Sequence, residues 1–85
     1  MQVVVLSPEK ELYSGEASAV KVPGSGGQFE ILNNHAPIVS ALSAGEVKIK
    51  TEDGNAMVYT INSGFVEVLN NNVSLLVTGV KSTNE

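Results

Sequence analysis

The sequence has no cysteine and no tryptophan, only one histidine, and no apolar run near the ~20 residues that span a bilayer as a helix. Without cysteine there is no disulfide staple, no thiolate metal site and no Cys nucleophile. With His35 alone there is no two-histidine zinc site. Basic residues are scarce too. Five Lys and Arg stand against nine Asp and Glu, for a formal net charge of −4, and the five are scattered. With no basic stripe to follow a phosphate backbone, nucleic acid is a poor partner. The start, Met1-Gln2-Val3-Val4-Val5-Leu6, lacks the basic leader, long apolar stretch and cleavage site of a signal peptide. The expectation is a soluble, cytoplasmic chain that reaches a membrane only by holding something embedded there.

What is present fits one small domain. The 85 residues are 42% hydrophobic, enough for a core. A chain of this size buries roughly 60–65% of its unfolded surface, so its stability margin is thin. A compact sandwich, or a subunit stabilised by a partner, fits that size without staples.

Short β-rich runs alternate with turn signals. Gln2–Leu6 is closed by Ser7-Pro8. A longer run covers 12–22, with Ser18, Val20 and Val22 on one face and Ala17, Ala19 and Lys21 on the other. Pro23-Gly24-Ser25-Gly26-Gly27 reads as a flexible loop, and Asn33-Asn34 as a second turn between strands at 28–32 and 37–42. The run 46–50 alternates most cleanly, with Val47 and Ile49 inward and Glu46, Lys48 and Lys50 outward. Asp53-Gly54 predicts a tight hairpin with φ > 0 at both central positions. Strands at Ala56–Ile61, 65–69 and 73–78 follow, parted by Ser63-Gly64 and Asn70-Asn71-Asn72, with Met57, Tyr59 and Ile61 sharing one face and Val73, Leu75 and Val77 another. No window shows a 3.6-residue period. The prediction is an all-β sandwich or barrel over 1–80 with little or no helix, and a polar tail over 81–85 that frays.

Nothing here assembles an active site. No Gly-x-Ser-x-Gly elbow positions a serine beside His35, and a lone histidine in a turn more often caps backbone or touches a partner. Glu9 with Glu11, and Glu52 with Asp53, read as solvated turn and edge residues. The stretch Gly24-Ser25-Gly26-Gly27 lacks both the Lys-Ser/Thr and the following helix of a phosphate loop. No metal site, cofactor site or catalytic residue is expected.

The order of motifs resembles one family, the epsilon subunit of bacterial and chloroplast F-type ATP synthases (delta in mitochondria). Ser7-Pro8-Glu9 followed by Leu12-Tyr13-Ser14-Gly15-Glu16 is similar to its opening. Val20-Lys21-Val22-Pro23-Gly24-Ser25-Gly26-Gly27-Gln28-Phe29 is similar to its next strand and Gly-rich loop. His35-Ala36-Pro37-Ile38-Val39 matches its most recognisable motif, and the blocks at 41–47, 63–68 and 73–77 follow in order. Asn33-Asn34 departs from the usual Pro-Gly, but Asn tolerates the left-handed conformation, so the turn should survive.

The resemblance implies a flattened antiparallel β-sandwich of about ten short strands in two sheets. It implies a non-catalytic rotor subunit of the central stalk, peripheral on the cytoplasmic side of the membrane. Such a subunit couples the gamma shaft to the c-ring, so that ion-driven rotation supports ATP synthesis. By position, Gly24, Ser25, Gly26, Gly27 and Gln28 match the family's c-ring contact loop, and Ser7, His35 and Ser40 match gamma-facing positions. Ser7 as a simple turn former, Ser40 as strand surface and His35 in a local backbone hydrogen bond stay open beside those roles. The family's C-terminal helical hairpin, which inhibits hydrolysis and in some members binds ATP, has no counterpart in these 85 residues. The expectation is therefore coupling without that brake and without ATP binding. Met1 and the polar tail lean towards a complete chain. A small β-sandwich ligand-binding module, for carbohydrate for instance, is the alternative. The scarcity of aromatics for stacking counts against it.

Overall fold

Alternating apolar residues can all be buried only if the strands fold over on themselves, and they do. The computed structural model describes residues 1–82 and contains ten strands: β1 (Gln2–Leu6), β2 (Glu11–Glu16), β3 (Ala19–Gly24), β4 (Gly27–Leu32), β5 (Ile38–Leu42), β6 (Gly45–Lys50), β7 (Ala56–Ile61), β8 (Ser63–Leu69), β9 (Asn72–Thr78) and β10 (Lys81–Ser82). No helix occurs among the described residues. Hydrogen bonding links the strands in the order β10-β7-β6-β3-β5-β8-β9-β1-β2, with β4 on the free edge of β3. Strands β3 and β5 meet at one residue pair, Gly24 and Leu42. That narrow joint divides the path into two curved layers, β10-β7-β6-β3-β4 and β5-β8-β9-β1-β2, within a body of 28 × 28 × 21 Å.

The core lies between the layers. Val20, Val22, Ile31, Val47, Ile49 and Ile61 enter it from the first, and Val3, Val5, Val66, Val73, Leu75 and Val77 from the second. All are branched aliphatics, which suit pleated strands and fill space without polar atoms. Along β9 the alternation is complete: Val73, Leu75 and Val77 are buried, and the residues between them are exposed.

Several expectations are sharpened. The predicted run 12–22 is two strands, because the chain changes partner at Ala17 and Ser18. Ala17 N–H bonds the Met1 carbonyl, whereas Ser18 N–H bonds Lys50 in the other layer. Ala19 is buried although it shares a face with exposed Lys21, since its cross-strand neighbours Lys50 and Leu32 flank it. The Gly-rich stretch is a tight hairpin with Ser25-Gly26 at its tip, and its flanking residues already pair across β3 and β4. The turn at 51–55 is wider than a two-residue hairpin, and within it Gly54 has φ 91° while Asp53 does not take positive φ. Asp53 instead accepts bonds from the Thr51 hydroxyl and from Asn55, which hold its carboxyl below the ordinary 3.8. The two-residue turn with both φ positive falls at Asn70 and Asn71 (52° and 62°). Asn34 also takes positive φ (62°), so the turn before His35 survives without Pro-Gly. Strand β1 runs parallel to β9, the one parallel pairing in an otherwise antiparallel path among the described residues. Lys81 and Ser82, assigned to the polar tail, pair with Thr60 and Tyr59. The remainder of that tail lies outside the described residues.

The layers are also tied across their far edges, where the Tyr59 hydroxyl donates to the Leu12 carbonyl at 3.2 Å. Tyr59→Phe should cost about 1 kcal/mol in urea unfolding, because the half-buried carbonyl loses its donor. Burial first, and then Tyr13, raise the Tyr59 phenol above its ordinary 10.0. Its contribution is thus intact below pH 10 and fades as pH rises through the folded-state value. Tyr59→Phe should flatten that alkaline decline, and a pH series of unfolding midpoints measures it.

Candidate functional site

The outward side chains of the two layers differ in kind. On the first layer, Lys21, Glu30, Lys48 and Lys50 make a charged surface around Ala19. The second layer is apolar where its strands register. Leu6 on β1 pairs with Leu76 on β9, Leu76 with Phe65 on β8, and Phe65 with Ala41 on β5. This makes one apolar row across four strands, beside a groove that Pro8 and Gly64 help to line. The next row is mixed: Val4, Ser74, Glu67 and Val39. Val39 is 71% exposed, Phe65 58% and Leu76 56%. An isolated exposed leucine is ordinary, but a registered strip of large apolar side chains marks an interaction surface.

The predicted positions fall around this face as follows. Ser7 lines the groove at the apolar end, where its hydroxyl bridges the Lys10 carbonyl and N–H in a closed turn. Ser40 is half-buried on the inward side of β5 with Ile38 and Leu42, so its neighbours Val39 and Ala41 are the ones facing out. The Ser40 hydroxyl donates to the Ala41 carbonyl. His35 stands at the opposite end of the strands. Its Nδ1 lies 2.7 Å from the Ala36 carbonyl oxygen; a carbonyl only accepts, so this nitrogen carries the proton. Its turn is fastened by Asn71, whose side-chain oxygen accepts from Asn34 N–H at 2.7 Å. Thus Ser7 and His35 bracket the face rather than forming one cluster. The motifs drew attention to these polar residues and passed over Phe65 and Leu76. The available signal was alternation: with Val66, Leu75 and Val77 inward, Phe65 and Leu76 must point out.

The hairpin at 24–28 lies at the Ser7 end, beside the turn between β5 and β6. With Ser43, Gly45 and Glu46 it borders an open groove of mixed character. No group of three or more His, Cys, Asp or Glu side chains among the described residues is placed to hold a metal ion. Likewise, no helix among them is long and apolar enough to cross a membrane.

Comparison with known proteins yields one consistent group. The family described as ATP synthase, Delta/Epsilon chain, beta-sandwich domain matches residues 1–82. An ATP synthase epsilon chain of Leptospira interrogans (serovar copenhageni) is 45% identical over 76 residues, covering 89% of this chain and 59% of the relative. The chain thus spans under two thirds of that relative's length. A chain in the cryo-EM structure of the Euglena gracilis mitochondrial ATP synthase, OSCP/F1/c-ring in rotational state 1, superposes with a TM-score of 0.89 at 20% identity, covering 98% of this chain and 53% of that one. A second, from the Tetrahymena thermophila mitochondrial ATP synthase central stalk and c-ring, gives 0.79 at 18% identity over 94% of this chain and 64% of that one. At such identities the structural matches speak for the fold.

Proposed function

This chain belongs to the ATP synthase delta/epsilon chain β-sandwich family, and from that premise we propose that it is a non-catalytic rotor subunit joining the central shaft to the membrane ring. In this reading the apolar face of β5, β8, β9 and β1 packs on the gamma subunit, and the hairpin at 24–28 meets polar loops of the c-ring. The observation that carries it is the registered row Leu6–Leu76–Phe65–Ala41, an apolar strip running across four strands with exposed Val39 beside it. Ser7 borders that contact, His35 lies beyond its far end, and the outward neighbours of Ser40 make the packing. The relatives' assemblies, with a central stalk and a c-ring, hold partners of the required kind. A close-packed sandwich suits the work, because a dense interior deforms little under load.

A pull-down with gamma subunit from the same source tests this. Stoichiometric capture is expected; capture of neither gamma nor the assembled rotor refutes the reading. A second test places single cysteines at 24–28 in intact enzyme. At least one should crosslink to the c-ring loop, and failure at every position rejects the orientation.

A further inference from the structure

We infer that the end of β5 is a positioning clamp, with Ser43 its key residue, that locks the hairpin at 24–28 to the apolar face so that both contacts move as one body. This rests on the rotor reading and adds to it how the two contacts are held in register. Four observations meet at one place. The layers join through a single residue pair, Gly24 with Leu42. On either side of that pair, Ser25 N–H donates to the Ala41 carbonyl at 2.9 Å and Ser43 N–H to the Pro23 carbonyl at 2.8 Å. The Ser43 hydroxyl adds a bond to the same Pro23 carbonyl at 3.3 Å. The root of the hairpin is also packed tight: a Cβ on Gly24 would stand 2.7 Å from the Gly27 carbonyl oxygen and 2.8 Å from the Phe29 ring.

Ala41 therefore serves both surfaces. Its side chain stands in the apolar row, and its carbonyl holds the hairpin tip. A hairpin fixed only by its own two strands would swing about its root, and two-stranded ribbons alone are marginally stable. With Ala41 and Ser43 bonded to Ser25 and Pro23, on either side of Gly24 in the β3 arm, a displacement of the apolar face reaches the hairpin through short backbone bonds rather than through a hinge.

The test uses intact synthase with Gly26→Cys as reporter, scoring crosslinking to the c-ring and co-purification of gamma in the same samples. Ser43→Pro removes the N–H and the hydroxyl together, and Ser43→Ala the hydroxyl alone. Ser43→Pro should keep gamma but lower the ring crosslinking rate by up to about tenfold, and Ser43→Ala by up to about threefold, the largest falls that losing two net hydrogen bonds or one allows. Asn71→Ala, which loosens the far end of the sandwich, should lower the melting temperature yet leave the crosslinking rate unchanged. A merely structural role for Ser43 would make crosslinking follow stability in all three. If Ser43→Pro does not assemble, Ser43→Ala decides alone. Wild-type crosslinking in the assembled Ser43 variants overturns the clamp while leaving the rotor reading intact. Loss of gamma from the unmodified chain defeats the rotor reading itself. Absence of any ring crosslink with Gly26→Cys alone removes the contact the clamp would position, and the clamp with it.

Discussion

Leu75→Ala is expected to cost about 3 kcal/mol of stability, while Leu76→Ala, one residue on, costs less than about 1 kcal/mol. The two leucines are adjacent in β9 and chemically identical, but Leu75 is fully buried and Leu76 is 56% exposed. Truncating Leu75 removes buried methyl groups and leaves a cavity beside its cross-strand neighbours Val5 and Val66, which a close-packed core fills only in part. For a domain of this size, 3 kcal/mol corresponds to a fall of about 12–24 °C in melting temperature. Leu76 is already in water, so its truncation changes little in the free chain. Differential scanning calorimetry of the two variants distinguishes them. Equal losses would mean that the register of β9, and with it the outward apolar row, is wrong.

Phe65→Glu should do the opposite. It should leave the fold within about 1 kcal/mol of wild type, because the position is 58% exposed and only strand propensity changes. Against gamma it should be severe. Phe65 sits mid-row, between Leu76 and Ala41, where a covered aromatic anchor would lie. A carboxylate there loses the apolar contact and must be stripped of water beside Leu76, which costs more than truncation alone. The expected weakening is about 2–4 kcal/mol, roughly thirty- to a thousandfold in dissociation constant. Titration calorimetry with isolated gamma measures it. The Leu76→Ala variant should show a smaller loss of the same sign. Unchanged affinity in both would move the shaft contact off this face.

Much of this architecture is legible in the residues. Alternation in β6 and β9 gives the inward set Val47, Ile49, Val73, Leu75 and Val77 directly, since a pleated strand half in water needs it. Turn chemistry shows where chains reverse, yet it misjudges which turn is which. Asp53-Gly54 carries the stronger tight-turn signal, but Thr51 and Asn55 draw Asp53 into a wider network, and the two-residue turn falls to Asn70-Asn71. Pairing between distant strands leaves no local trace. The parallel contact of β1 with β9 and the Gly24–Leu42 joint were therefore invisible, because hairpin signals specify only sequential, antiparallel neighbours. The candidate site divides in the same way. The motifs locate the Gly-rich hairpin and the His35 turn, since turns need particular residues. The apolar row was missed because each member is an ordinary strand residue, and it becomes a surface only when four strands come into register.

The central claim is that this sandwich passes motion between shaft and ring, and ion pumping per ATP hydrolysed measures that most directly. Membrane vesicles carrying synthase stripped of this subunit, then resupplied with it, provide the comparison. Stripped enzyme is predicted to hydrolyse ATP with little ion transport, and transport should return with the wild-type chain but not with Phe65→Glu. Full pumping without the subunit, or full recovery with Phe65→Glu, would contradict the claim.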